Sequence, residues 1–456
     1  MPINIVILAA GQGKRMHSDV PKVLHRLAGT PLLEHVIRAA RTLKPTKICV
    51  VYGHGGDRVT KALPGRDLCF VRQAKQLGTG HAVKQALRHL DVSADTLILY
   101  GDVPLITPAT LKNMVARRKD RLTLLTAVFQ NPTGYGRIIR DSAGAVVGIV
   151  EEKDATDEQR KVQEGNTGLM HLPTRRLAKW LSQIKNKNAQ HEYYLTDIVA
   201  LAVKDQVPIQ TVTTEDLSEI QGVNNQRQLA DLERLYQTRL AQTLLHQGTH
   251  LADPGRFDQR GTLSCGRDVS IDVNCVFEGG VKLGTGVTIG ANCVIRNATI
   301  GPNTTIAPFS YIDDAVIGAR CIVGPYARLR PATTLADEVH IGNFVEVKAS
   351  TIGAGSKANH LAYVGDTEIG RNVNVGAGTI TCNYDGAHKH KTVIEDDVFI
   401  GSDTQLVAPV TIRRGATIGA GSTITKEAPA DHLTLSRSRQ VSISNWKRPR
   451  KATKPK

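Results

Sequence analysis

Residues 287–324 read VTIGANCVIRNATIGPNTTIAPFSYIDDAVIGARCIVG. Every fifth or sixth position is aliphatic: Ile289, Ile295, Ile300, Ile306, Ile312, Ile317 and Val323. The register runs outward in both directions. Upstream lie Ile271, Phe277 and Leu283; downstream follow Leu329, Leu335, Ile341, Val347, Ile352, Ala358, Val364, Ile369, Val375 and Thr381. After a longer gap it resumes at Ile394, Ile400, Leu406, Ile412, Ile418 and Ile424. Gly often follows the aliphatic residue, as at Gly290, Gly301, Gly318 and Gly324. A fixed short period means a solenoid. Each rung is a short flat strand with a corner, and three rungs close one coil. Coils then stack about 4.8 Å apart, like strands of a sheet. One rung cannot bury its aliphatic side chain alone, so the core exists only by stacking. By itself the pattern also suits a spacer with no chemistry.

The chain has 456 residues, enough for two or three domains. Aromatic residues make up only 4%, which suits a narrow core of Ile and Val. No apolar run approaches the length of a membrane span, and Met1–Ala10 lacks the charged start of a signal peptide. The cysteines at 49, 69, 265, 275, 293, 321 and 382 show no metal-like pairing and fit a reducing cytoplasm. Net charge is +16, and the last 20 residues hold eight Lys/Arg and no Asp/Glu. Nucleic acid, a solubilising tail, or phosphorylated small substrates could each explain that excess. The rest of the chain favours the third, with no nucleic acid and no membrane as partner.

Residues 3–10, INIVILAA, predict a buried parallel strand. Gly11-Gln12-Gly13-Lys14-Arg15 follows at once, a turn whose bare N–H groups can wrap phosphates. It is neither the dinucleotide fingerprint nor a P-loop, because the third Gly and the GxxxxGK spacing are absent. Arg15 and Lys22 add cations. Further strands are expected at 47–52, 68–71, 96–100 and 122–129, with helices at 32–43, 81–90 and 109–118 between them. The alternation predicts an α/β sheet with ligands at strand C-termini. Asp102 ends the strand LILY, where it could hold Mg²⁺ or merely cap a turn. In 226–247, Leu229, Leu232, Leu235, Leu240 and Leu244 recur at helical spacing before Gly248, which predicts a linking helix.

These motifs carry a resemblance. LAAGQGKRM, PKVLH, QLGTGHA, LYGDVPL, PTGYGRI, IVEEKDA, NTGL, EYYLTDI and GVNN run in the order of sugar-1-phosphate nucleotidyltransferases. The solenoid resembles the hexapeptide-repeat acyltransferases, whose parallel β-helix is left-handed. The whole chain is similar to the bacterial bifunctional N-acetylglucosamine-1-phosphate uridyltransferase/glucosamine-1-phosphate acetyltransferase family, whose product feeds cell-wall synthesis. The resemblance implies an α/β protein with a uridyltransferase domain at 1–226, a helical linker at 227–248, and a β-helix acetyltransferase domain with a basic tail at 249–456. It implies acetyl-CoA and UTP as co-substrates, Mg²⁺, a homotrimer and a cytoplasmic location.

Residue by residue, the resemblance implies that Gly11, Gly13, Arg15 and Lys22 hold the phosphates, with Leu8, Ala9 and Ala10 also in the UTP/UDP-sugar site. Gln73, Gly78 and Thr79 would read uracil; Tyr100, Gly101 and Asp102 line the nucleotide, and Asp102 with Asn224 binds Mg²⁺. Gly136, Glu151 and Asn166 would seat the sugar. Lys14 stands where such loops usually carry Thr, which implies an altered nucleotide affinity rather than a lost function. Arg15 and Lys22 are catalytic there.

The solenoid register adds its own geometry. Arg330 and Lys348 follow adjacent core residues one coil apart, so they should stack, and a shared anion would relieve their repulsion. Stepping one coil at a time from His360 gives Ala377, Ser402 and Ala420, with an insertion at 382–393 crossed on the way. Such a column of small residues would make a groove for the pantetheine arm of coenzyme A, with His360 at its thioester end. The resemblance makes His360 the base that deprotonates the sugar amine. It places Arg330, Lys348, Tyr363, Asn374, Asn383 and Tyr384 at the sugar phosphate, and Ala377, Asn383, Tyr384, Ser402, Ala420 and Arg437 at acetyl-CoA. The competing reading is a regulatory subunit on the same architecture, as in some translation exchange factors. The presence of Arg15, Lys22, Asp102, Asn224 and His360 favours the enzyme.

Overall fold

A computed structural model describes residues 2–53, 55–63, 65–116 and 120–450. The chain divides into two compact units, Met1–Arg239 and Leu240–Lys456.

The first unit is built on Ile3–Ala9, every residue of which is buried. It pairs in parallel with Lys47–Tyr52 on one side and Asp95–Tyr100 on the other. Leu68–Arg72 extends the sheet beyond Lys47–Tyr52. On the far side Glu164–Pro173 enters antiparallel between Asp95–Tyr100 and Leu122–Val128, and Ile209–Thr214 closes that edge. The sheet is therefore mixed, which the run of βα alternation did not foretell. The expected strands and helices otherwise appear within a few residues, at helices Leu32–Arg41, Thr79–Ala86 and Pro108–Ala116. The expected 109–118 helix has its last two residues outside the described residues. Helices cover both faces, so the sheet lies between two apolar clusters. The strand C-termini at Ala9, Tyr52, Arg72 and Tyr100 share one edge, because these four neighbours run parallel.

The linking helix runs Gln226–His246 and ends before Gly248, which takes a φ of 91°. Leu232 joins a cluster of the first unit, and Ala241 and Leu244 join the solenoid core. Leu235, expected on the apolar face, is 42% exposed.

The second unit is a parallel β-helix. Every aliphatic register position from Ile271 to Ile424, Thr381 included, is at most 5% exposed. Successive coils pair in parallel at steps of 17 or 18 residues, as in Ile289↔Ile306 and Leu329↔Val347. One rung of each coil forms an 11-stranded sheet, and the other two form a 17-stranded sheet. The step across the insertion is 25, as in Val375↔Ile400. Glycine is required where coils approach: a Cβ on Gly401 would lie 2.5 Å from the Ala420 nitrogen. Each buried Ile or Val contributes about 1.5–3 kcal/mol against exposure.

Candidate functional sites

In the first unit a cavity of about 370 Å³ opens at the strand C-termini. It is lined by Leu8, Ala9, Ala10, Gly11, Lys22, Gln73, Gly78, Thr79, Tyr100 and Asp102, all expected from the sequence. A φ of 62° at Gly13 turns the chain, and a Cβ there would lie 2.8 Å from the Lys22 Cβ. Only Gly lets the turn sit against Lys22. Gly78 is constrained in the same way, with a φ of 108° against the Tyr193 backbone. The Thr79 hydroxyl accepts from the Leu195 N–H at 3.0 Å. Arg15 and Lys14 sit exposed on the short helical turn Lys14–Met16 and do not line the cavity.

The Lys22 ammonium makes direct contact with the Asp102 carboxylate and lies 3.4 Å from the Asn224 Oδ1. Two residues 122 positions apart thus aim oxygens at one cation. Both partners of the ion pair are mostly buried, at 13% and 18% side-chain exposure. Tyr100 is partly buried, and desolvation, then Glu151 and Asp102, raise its phenol above the usual range. It connects this cation to a second corner. There Gly136 pairs directly with Asn166, and a Cβ on Gly136 would lie 3.3 Å from the Glu151 Oε2. Glu151 accepts from the Thr196 hydroxyl at 2.9 Å, yet burial pushes its carboxyl up. Asp197, beside it, is pushed up to about 6 by burial, Glu151 and Asp154.

In the second unit the columns fall where the register put them. Ala358↔Val375, Val375↔Ile400 and Ile400↔Ile418 are paired, which sets His360, Ala377, Ser402 and Ala420 one above another. The column ends at Arg437, whose Nη1 donates to the Ala420 carbonyl at 2.9 Å. His360 is exposed, and its Nδ1 lies 3.0 Å from the Asn343 Oδ1 one coil earlier. Arg330 and Lys348 do stack, but they are not bare cations. Arg330 meets Glu346 at 2.8 Å, and the Lys348 Nζ is 4.0 Å from Asp366. Asn383 donates to the same Asp366 carboxylate. Tyr363 begins the strand after His360, and Tyr384 stands exposed on the insertion. Asn374 lies on the other sheet, in register with Lys357 and Phe399, apart from that cluster.

Several residues of these sites were not singled out in the sequence. Gln76, Gln12 and Glu192 line the first cavity, and Gln76 donates to the Ala10 carbonyl. Lys389, on the insertion, faces Lys348, which holds its ammonium pKa down. Its position on the predicted insertion was the available signal. For Gln76 there was none, because its reach across to Ala10 depends on the turn.

Three family models match: a MobA-like NTP transferase domain at residues 5–166, a GMPPB C-terminal domain at 260–352, and a bacterial transferase hexapeptide at 391–426. Curated relatives cover nearly the whole chain. The "Bifunctional protein GlmU" of Azoarcus sp. is 61% identical over 98% of this chain and 99% of its own length. That of Dechloromonas aromatica is 62% identical over 99% and 100%. That of Nitrosospira multiformis is 59% identical over 100% and 99%.

Proposed function

The chain belongs to the family of bifunctional GlmU proteins, and from that membership we infer which of its residues carry each reaction. It is a two-activity transferase of UDP-N-acetylglucosamine synthesis. Glucosamine-1-phosphate takes an acetyl group from acetyl-CoA, and the N-acetylglucosamine-1-phosphate formed takes a uridylyl group from UTP, releasing pyrophosphate. We assign uridylyl transfer to residues 1–226, the link to 227–248, and acetyl transfer to 249–456.

The observation that carries the acetyl half is the column His360, Ala377, Ser402, Ala420. A groove of small residues suits the pantetheine arm, and His360 stands at its head. With Nδ1 facing an Asn343 oxygen, the ring is a donor there, and Nε2 is left to accept. The sugar amine attacks the thioester carbon, a C–N bond forms, and Nε2 takes the proton the nitrogen sheds. Collapse breaks the C–S bond, and the proton passes to the departing thiolate. The Ala377 N–H meets no acceptor among the described residues, and it is the donor we assign to the oxyanion. Arg330, Lys348, Tyr363, Asn383 and Tyr384 would hold the sugar phosphate, with Asn374 apart from them on the sheet of Lys357–His360; Asn383, Tyr384 and Arg437 would also meet the coenzyme.

In the other half the turn at Gly11 and Gly13 would hold the triphosphate on its N–H groups, with Leu8, Ala9 and Ala10 lining the site behind it and Gln73, Gly78 and Thr79 at the base. Tyr100 and Gly101 wall the nucleotide, and Gly136, Glu151 and Asn166 seat the sugar. The sugar phosphate oxygen attacks the α-phosphorus and pyrophosphate leaves; Arg15 and Lys22 offset the charge. Asp102 and Asn224 fit Mg²⁺, because their hard oxygens already converge on one cation, and Mg²⁺ needs few protein ligands. Once bound, Mg²⁺ neutralises phosphate charge and orients the attack.

The oligomer we assign is a trimer. Phe309, Tyr326 and Phe344 stack along one corner with ring centroids 4.9 and 5.3 Å apart, and each is about half exposed. All three take positive φ, a costly setting for bulky residues that many other turns of the solenoid give to Asn, Asp or Gly. A second copy covering the rings would explain that choice. All cysteines found are free thiols, in keeping with the cytoplasm, and among the described residues no helix is long and apolar enough to cross a membrane.

The test is a pH–rate profile of acetyl transfer with His360→Ala. The rate should fall by about 10²–10⁴, the usual worth of a general base, with uridylyl transfer unchanged. A mutant that keeps most of its rate, or the same basic limb, removes His360 from the role.

A further inference from the structure

Gln73 is 4% exposed and sits beside the cavity assigned to the nucleotide. One atom of its amide lies 3.1 Å from the Gly78 carbonyl and 3.0 Å from the His81 Nδ1. A carbonyl only accepts, so that atom is the NH₂ group, whatever rotamer is drawn. His81 Nδ1 must then be the acceptor, and the ring proton sits on Nε2. The Gln85 amide atom 3.1 Å from Nε2 also lies 3.4 Å from the His81 carbonyl; the shorter Gly78 contact decides the tautomer, and Gln85 turns its oxygen to Nε2 at the expense of that longer contact. Gln73 spends both amide protons on Gly78 and His81. Its Oε1 has no partner among the described residues and remains open to the cavity.

We propose that His81 is a positioning residue for base selection, which holds Gln73 with its oxygen toward the base and so favours uracil over cytosine. The proposal rests on the nucleotide reading of this cavity. Uracil presents N3–H, a donor that Oε1 can accept. Cytosine presents a lone pair at N3, which faces Oε1 unfavourably; an unmatched polar contact in a desolvated site discriminates more than a missing methyl does. His81 can serve because it is neutral. Desolvation, and the charge of Lys84 next in importance, hold its pKa below the ordinary value. The other faces of the ring meet Gln85 and Tyr193, whose ring lies 6.5 Å away. No carboxylate is among these neighbours to favour the cation. The sequence signal was the His of QLGTGHA, two residues after the Thr assigned to uracil.

The experiment measures kcat/KM for UTP and for CTP with the full-length enzyme. His81→Leu removes the acceptor; His81→Asn keeps one, since its Oδ1 falls where Nδ1 was. The UTP/CTP ratio should drop about tenfold or more in His81→Leu, the worth of one hydrogen bond, and stay within about threefold in His81→Asn. The ratio is internal to each preparation, so a partly unfolded sample does not change it. His81→Phe serves as a second acceptor-free variant. If the ratio holds in both acceptor-free variants, or falls equally in His81→Asn, His81 does not act through Gln73. Gln73→Ala separates the two ideas: if it leaves the KM for UTP unchanged, the base does not bind here, and the nucleotide reading itself fails.

Discussion

Asp102→Ala tests the division of labour between the two units. The structure sets two magnitudes. The first is stability. Removing one partner of a fully buried ion pair costs about 3–5 kcal/mol, and of an exposed pair about 0–1 kcal/mol. Lys22 and Asp102 lie between these limits at 13% and 18% exposure. Lys22 also keeps Asn224 and can reach into the cavity, so about 1–2 kcal/mol is expected. That leaves the first unit folded at 25 °C. The second magnitude is the rate. Asp102 is the only carboxylate among the cavity-lining residues at the strand edge besides Glu192. A charge interaction at 4 Å in a partly desolvated site is worth about 4 kcal/mol at an effective dielectric of 20. Its loss predicts a fall of about 10²–10³ in uridylyl transfer. Acetyl transfer should stay within about twofold, because no residue assigned to it lies in Met1–Arg239. Asp102→Asn keeps an oxygen but no charge, so its rate should climb as Mg²⁺ is raised. Both activities are read on one preparation by pyrophosphate release and thiol release, with thermal unfolding as the check on folding. Uridylyl transfer within tenfold of wild type, or an equal fall in both activities, would refute the reasoning.

Two further outcomes follow from the packing. Phe344→Ser with Tyr326→Ser should weaken self-association by about 2 kcal/mol per ring, half the worth of burying an aromatic side chain, and sedimentation should show smaller species at low concentration; an unchanged trimer would move the contact elsewhere. Asp197→Asn should stabilise the first unit at pH 7. A carboxyl raised to about 6 favours the protonated form in the folded state, so its stability cost is absent below about pH 4 and complete above about pH 6. Removing that cost, discounted for partial exposure, gives about 1–2 kcal/mol in denaturant midpoints at pH 7 and nothing at pH 4; equal effects at both pH values would contradict it.

The solenoid was legible because its neighbours in space are fixed by arithmetic. Ile289 and Ile306 are partners only because 17 residues close a coil. The same arithmetic carried His360 to Ala377 and, across the insertion, to Ser402. In the first unit proximity comes from sheet order, which a one-dimensional pattern does not contain. Strands, helices and Gly13 could be read, yet the antiparallel entry of Glu164–Pro173 could not. That strand brings Asn166 opposite Gly136, a pairing motif order alone had to supply. Leu235 misled for a related reason. The helix passes from one core to another, so its apolar stripe need not keep one face.

The stacked cations show what register leaves out. From register alone, Arg330 and Lys348 are tolerable as solvated charges but better explained by a shared anion. Glu346 sits beside Lys348 in sequence two residues before it, and Asp366 follows one coil later, so each cation has a carboxylate already. Side-chain direction, not column position, decides this. The consequence is chemical. If the sugar phosphate binds here as proposed, it would compete with Glu346 and Asp366 for cations that still outnumber them, since Arg328 shares Glu346 and Lys389 faces Lys348. Its net gain is the difference between two charge-assisted contacts, smaller than either alone. Bare cations would bind substrate and product phosphates equally tightly, and tight uniform binding lowers KM without raising kcat. On that proposed reading the carboxylates would hold the cations in place while keeping the phosphate exchangeable, so that N-acetylglucosamine-1-phosphate could leave.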